Sequence, residues 1–156
     1  MATEGADAPV SIVGVGHWLL GSDRIGPRVL ELALDRYGSD VELCDLGVGG
    51  LALLDCLRAQ ELFLVVDACL LGGEPGEIHL FDPEEMELSS TGGSVHQVGP
   101  LEALAVARHL FQDQLPRRTL VVAVETEGLD EALEQETCLR VLDVLDREIA
   151  AWRASR

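Results

Sequence analysis

The chain has 156 residues, 47% of them apolar, which suits one domain with its own core and argues against disorder. Its formal charge is −17, from 28 acidic and 11 basic residues, and every basic residue is an arginine. Such a chain is expected to be repelled by nucleic acid and anionic lipid, while the absence of lysine excludes P-loop and Schiff-base chemistry.

Met1 to Pro9 is small and acidic and reads as a flexible tail ahead of one domain over residues 10–156. It carries no basic segment or long apolar stretch, and no apolar run in the chain reaches the roughly 18–20 residues of a membrane span. The protein is therefore expected to be soluble and cytoplasmic. Val10 to Gly16 is a β-branched run stopped by glycines, a buried strand. Ile25 to Tyr37 turns helical, with Arg24, Arg28, Glu31 and Asp35 on a polar face and Ile25, Val29, Leu32 and Ala33 opposite. Val41 to Leu46 is a second strand, Leu51 to Ala59 a short helix, and Glu61 to Ala68 a third strand, apolar on both faces.

Gly72 to Gly76 is a turn with no helix behind it, so the next strand, Glu77 to Phe81, is expected to return antiparallel at a sheet edge. Asp82 to Gly99 is irregular, polar and long enough for a functional loop. Pro100 opens a helix to about Phe111, Thr119 to Val124 is the last strand, and Thr137 to Trp152 is the last helix. Cys138, Leu142, Leu145, Ile149 and Trp152 form that helix's apolar stripe. Apolar strands alternating with amphipathic helices predict a three-layer α/β/α sandwich around a mostly parallel sheet. The four cysteines, at 44, 56, 69 and 138, contain no C-x-x-C pair and read as small buried hydrophobes. Cys69, two residues after Asp67, is the one closest to possible chemistry.

Gly14-Val15-Gly16 lacks the third glycine of a dinucleotide fingerprint, since that position is Leu19. No H-E-x-x-H helix or G-x-S-x-G elbow is present. What remains is Asp23 in the first loop, Asp67 at the end of the third strand and His96 in the Ser94–Gly99 stretch. Two carboxylates and an imidazole make an incomplete oxygen and nitrogen shell for a divalent metal, with positions left for substrate. Each residue also has a plainer reading: Asp23 as a helix cap, Asp67 as a turn cap, His96 as a solvated side chain. His17 lies near the same rim as a fourth donor or lid residue, whereas His79 and His109 read as surface residues.

In these motifs the chain resembles the hydrogenase maturation endopeptidases. Gly14-Val15-Gly16-His17-Trp18-Leu19-Leu20-Gly21-Ser22-Asp23-Arg24-Ile25-Gly26 is similar to that family's G-x-G-N-x-L-x-x-D-[DE]-x-x-G. Asp45 to Gly50 resembles its D-x-G-T-x-G, Val66-Asp67-Ala68 its strand ending in Asp-Ala, Pro75 to Ile78 its P-G-x-[IL] hairpin, and Ser94 to Gly99 its S-x-H-x-x-G. The likeness runs in order from about Ser11 to Gly99 and loosely to Trp152. Three positions depart from the pattern: His17 replaces the family's Asn, Ser22 the first of its two acids, and Val48 its Thr.

The resemblance implies a five-stranded sheet between helices and makes Asp23, Asp67 and His96 the catalytic and metal-contacting residues. It implies a nickel-dependent endopeptidase, acting as a monomer, whose partner is the large-subunit precursor of a nickel–iron hydrogenase. The nickel is carried by that precursor, and a short C-terminal extension is removed. The departures at His17 and Ser22 motivate a rival, a nickel-sensing chaperone that binds precursor or free metal without cutting. A third reading is a doubly wound domain holding a small anion at Gly14–Gly16.

Overall fold

The computed structural model describes residues 7–19, 24–47, 50–85 and 99–156. In chain order the elements are β1 (Val10–Gly14), α1 (Ile25–Ala33), β2 (Val41–Asp45), a 3-10 helix (Gly50–Cys56), β3 (Leu62–Cys69) and β4 (Ile78–Phe81). They continue with α2 (Pro100–Leu110), a 3-10 turn (Gln112–Gln114), β5 (Arg118–Glu125) and α3 (Glu131–Ala154). The strands make one five-stranded sheet in the order β2-β1-β3-β5-β4, parallel except for β4 against β5. The expected mostly parallel sheet with one antiparallel edge strand is the one observed.

Period-two alternation sends the strand side chains into two cores. On one face Val10, Ile12, Leu64, Val66 and Val122 meet Ile25 and Val29 of α1 and Leu142, Leu145 and Ile149 of α3. On the other, Val13, Phe63, Val65 and Val121 meet Leu53 of the 3-10 helix and Ala103, Leu104 and Ala107 of α2. Each fully buried side chain of this size stabilises by about 1.5–3 kcal/mol. Among the described residues, no helix is long and apolar enough to cross a membrane.

Local chemistry moves several boundaries. Helix α1 stops at Ala33, short of Tyr37, because Asp35 takes a left-handed backbone conformation (φ +61), one that aspartate tolerates better than most residues. Its core face carries Leu30, while Leu32 is largely exposed. The helix expected over Leu51 to Ala59 is a 3-10 helix spanning Gly50–Cys56. Helix α3 starts well before Thr137, since the Asp130 side chain caps it by accepting from the Leu133 N–H at 2.8 Å. The cysteines also differ from expectation. Cys44 on β2 and Cys56 at the end of the 3-10 helix pair as a disulfide, because both sit over the same face of the sheet. Cys138 is buried as expected, whereas Cys69 is only partly buried.

Helix α3 is pinned to α1 by charge. The Arg24 Nε donates to both Glu134 oxygens at 2.8 Å, and Arg28 Nε stands 3.9 Å from the same carboxylate. Farther along, Asp146 accepts from Arg36 Nη2 at 2.6 Å and from the Tyr37 hydroxyl at 2.8 Å. On the edge strand β2, the buried Glu42 carboxylate accepts from Arg58 Nη1 at 2.9 Å. The β3–β4 turn closes at Gly76 (φ +82), whose carbonyl accepts from Arg140 of α3 at 2.9 Å.

The first loop is tied down backbone to backbone. The Val15 N–H donates to the Val66 carbonyl at 2.9 Å and the Gly16 N–H to the Gly47 carbonyl at 2.9 Å. A Cβ on Gly26 would lie 2.2 Å from the Val15 carbonyl oxygen, so only glycine lets α1 start this close to the end of β1. Gly26→Ala is expected to lower stability by about 1–3 kcal/mol in urea unfolding, as overpacking against backbone does. The Asp146 carboxyl is held below the usual carboxylate range, chiefly by the Arg36 hydrogen bonds and also by Tyr37, against the opposing effect of burial. The fold thus prefers the charged form. That contribution is present above the ordinary carboxylate pKa and is lost as pH falls through the depressed folded value. Asp146→Asn should therefore cost about 0.2–1 kcal/mol near neutrality and flatten the acid limb of a stability-versus-pH curve below about pH 4.

Candidate functional site

The chain runs outward from β1 to β2 and then crosses back to β3, so the strand order reverses between β1 and β3. In an open parallel sheet, the crevice at the carboxyl ends of two such strands is where ligands bind. Asp67 stands there. Leu62 to Val66 are fully buried, and Asp67 is the first residue of β3 that is only half-buried. Its backbone lies opposite Ala123 of β5, and its Oδ1 accepts from the Ala68 N–H at 2.8 Å. The strand does not end at this aspartate but continues to Cys69.

Of the three residues singled out from sequence, Asp67 is the one among the described residues; Asp23 and His96 lie outside them. Arg24 stands directly before α1 and makes no side-chain cap hydrogen bond. His17 is partly buried in the first loop, where its Nδ1 accepts from the Leu19 N–H at 3.0 Å. With Nδ1 occupied as an acceptor, the Nε2 side of the ring carries the proton in the neutral form.

A second group of polar residues adjoins Asp67. Cys69 follows it on the same face of β3, Glu125 lies opposite Cys69 on β5, and His79 lies opposite Ala123 on β4. The ligand atoms of Cys69, His79 and Glu125 all lie within 4.8 Å of one another. Glu125 is 2% exposed and well supplied with donors: His79 Nε2 at 3.1 Å, the Leu71 N–H at 3.0 Å, and the Gly73 N–H. Burial works against its charge, but the Gly73, His79 and Leu71 hydrogen bonds outweigh it and hold the carboxyl below its ordinary range. Cys69 is pushed up to about 11, first by burial, then by the charge of Glu125 and a hydrogen bond to it, and further by the charge of Asp67.

His79 is therefore not the plain surface residue its sequence context suggested. Nothing in the sequence links it to Cys69 and Glu125, because the three meet only through the pairing of β3, β5 and β4. A groove of about 570 Å³ lies elsewhere, between α1 and β2, lined by Trp18, Pro27, Leu34, Tyr37, Leu43 and Asp45 among others. It holds none of Asp67, Cys69, His79 and Glu125.

Comparison with known proteins bears on the fold and the family. A family model described as hydrogenase maturation protease matches residues 28–149. The hydrogenase 2 maturation protease of Escherichia coli strain K12 is 28% identical over 152 residues, covering 94% of this chain and 92% of its own. The hydrogenase expression/formation protein HupD of Thiocapsa roseopersicina is 31% identical over 131 residues, covering 81% of this chain, which spans 58% of HupD's length. Among solved structures, the hydrogenase maturating endopeptidase HybD from E. coli superposes with a TM-score of 0.70 at 28% identity, covering 89% of this chain and 93% of that one. The chain belongs to the hydrogenase maturation protease family.

Proposed function

We propose that the protein is a nickel-dependent, site-specific endopeptidase that removes a C-terminal extension from the large-subunit precursor of a nickel–iron hydrogenase. The observation that carries this is the place of Asp67 in a member of this family: a half-buried carboxylate at the carboxyl end of the central strand, where the strand order reverses. The positions of two helices support it further. Helix α1 begins against Val15 at the carboxyl end of β1, and α2 leads through a short turn to the amino end of β5, so its own start points to the carboxyl end. Asp23 and His96 shortly precede these two helices in the chain.

In this reading nickel belongs to the substrate, already seated in the precursor. Asp23, Asp67 and His96 meet it with two carboxylates and an imidazole, an oxygen and nitrogen set that suits Ni²⁺. That contact presents the scissile bond to the rim. Water then adds to the carbonyl carbon, one of the carboxylates takes up its proton, and the proton passes to the departing amine. A free carboxyl terminus and an amine result, with no covalent enzyme intermediate. The protein works as a monomer in the cytoplasm.

Incubation with nickel-loaded precursor, followed by mass spectrometry, should show loss of the C-terminal extension. Asp67→Asn should slow that cleavage by about a hundredfold or more, the contribution of a positioned proton-transfer group, and His96→Ala should slow it by removing the imidazole that meets the nickel. An authentic precursor left uncut would overturn the reading. Tight calorimetric binding of free nickel that Asp67→Asn abolishes, with that same uncut precursor, would assign the protein to metal-sensing chaperones.

A further inference from the structure

The Cys69–His79–Glu125 cluster lies outside the proposed substrate site, although it shares a face of the sheet with Asp67. Residues two apart on a strand have Cα atoms about 6.5–7 Å apart, so Cys69 and Asp67 are neighbours that serve different centres. Three features distinguish the cluster from a patch of solvated acid. Its donors are of three kinds: a thiol, an imidazole and a carboxylate. They come from three adjacent strands, β3, β4 and β5, whose pairing fixes the backbone beneath them. Its carboxylate is buried and held from behind by the Leu71 N–H.

The spacing suits coordination. With metal–nitrogen and metal–oxygen bonds near 2.0–2.1 Å and metal–sulfur near 2.3 Å, ligand atoms in a tetrahedral shell lie about 3.3–3.6 Å apart. His79 Nε2 and Glu125 Oε1 are already 3.1 Å apart, and all three ligand atoms fall within 4.8 Å of one another. Sulfur with nitrogen favours a borderline ion over magnesium or calcium. The side chain of His79 is 30% exposed, which leaves a path for an ion to enter from the rim.

We propose that Cys69, His79 and Glu125 form a second metal site, for a borderline divalent ion such as Zn²⁺, Co²⁺ or Ni²⁺, next to the Asp67 crevice and separate from it. On binding, the Cys69 thiol releases its proton to solvent and bonds as thiolate. The proton that His79 Nε2 shares with Glu125 passes by way of solvent to Nδ1, so that the ring binds through Nε2, and Glu125 exchanges that hydrogen bond for a metal–oxygen bond while its backbone donors stay in place. The fourth position faces the rim and takes water or another ligand. The ion ties the edge strand β4 to β3 and β5 at the end of the sheet that carries Asp67.

Cobalt titration of the full-length protein, with the Cys44–Cys56 disulfide intact, tests this. The wild type should bind a single equivalent and develop a thiolate-to-cobalt charge-transfer band in the near ultraviolet, with tetrahedral ligand-field bands in the visible. Cys69→Ser should remove the charge-transfer band with unchanged circular dichroism. His79→Gln should weaken binding by more than about tenfold, since even the loss of an outer-shell partner costs that much. Asp67→Asn should leave the band in place whether or not it blocks cleavage. No charge-transfer band in the wild type, or one that survives Cys69→Ser, would overturn the site. Unchanged affinity in His79→Gln, or loss of the band in Asp67→Asn, would overturn its ligand set and its separateness respectively.

Discussion

The burial of β3 governs the rest of the molecule. From Leu62 to Val66 the strand is hydrogen-bonded to β1 on one side and β5 on the other, with apolar cores over both faces. A polar side chain within that stretch would be stranded without water, at a cost of about 1–3 kcal/mol or more. Polarity can begin only where the covering layers end, at Asp67. Because side chains alternate, Asp67 and Cys69 then share one face, and the register with β5 brings Glu125 alongside Cys69. One apolar run thus determines where two sets of ionisable groups stand.

Arginine ties the elements around that strand to one another. In a chain with a formal charge of −17, Arg24, Arg36, Arg58 and Arg153 are each bonded to a carboxylate. Most of these contacts join segments far apart in sequence, such as α1 with α3. The planar guanidinium can address a carboxylate with two N–H groups at once, as Arg153 does with Asp40, and so fixes orientation as well as distance. Each pair neutralises one charge of each sign, so the excess of 28 acids over 11 arginines remains, which favours a cationic partner.

Much of the fold could be read from the residues because its determinants are local. The Leu62–Val66 run, the glycine stops after β1, the helix-free turn before β4 and the α3 stripe each signal an element through neighbours in sequence. Apolar periodicity is silent about caps and single backbone conformations, and about groups that meet from distant parts of the chain. Asp35 ends α1 through its backbone conformation, and the Asp130 cap starts α3 earlier than its apolar stripe alone suggests. The Cys44–Cys56 pairing and the Cys69–His79–Glu125 cluster depend on strand register and on which face each residue occupies. In the candidate site, Asp67 was legible because an aspartate that follows five apolar residues must emerge from a core. Glu125 ends an equally apolar strand, but it passed unnoticed without its partner strands.

The outermost strand β2 has a consequence for how copies of the molecule behave toward each other. An unpaired strand edge offers free backbone groups to any passing chain and is a common starting point for aggregation. Here that edge carries the buried Glu42 carboxylate bonded to a partly exposed Arg58. A foreign strand docking alongside would have to strip water from the guanidinium and settle over a charged pair. The open border of the sheet is thereby made unattractive to self-templating by a charged pair anchored on β2 opposite Ser11 of β1.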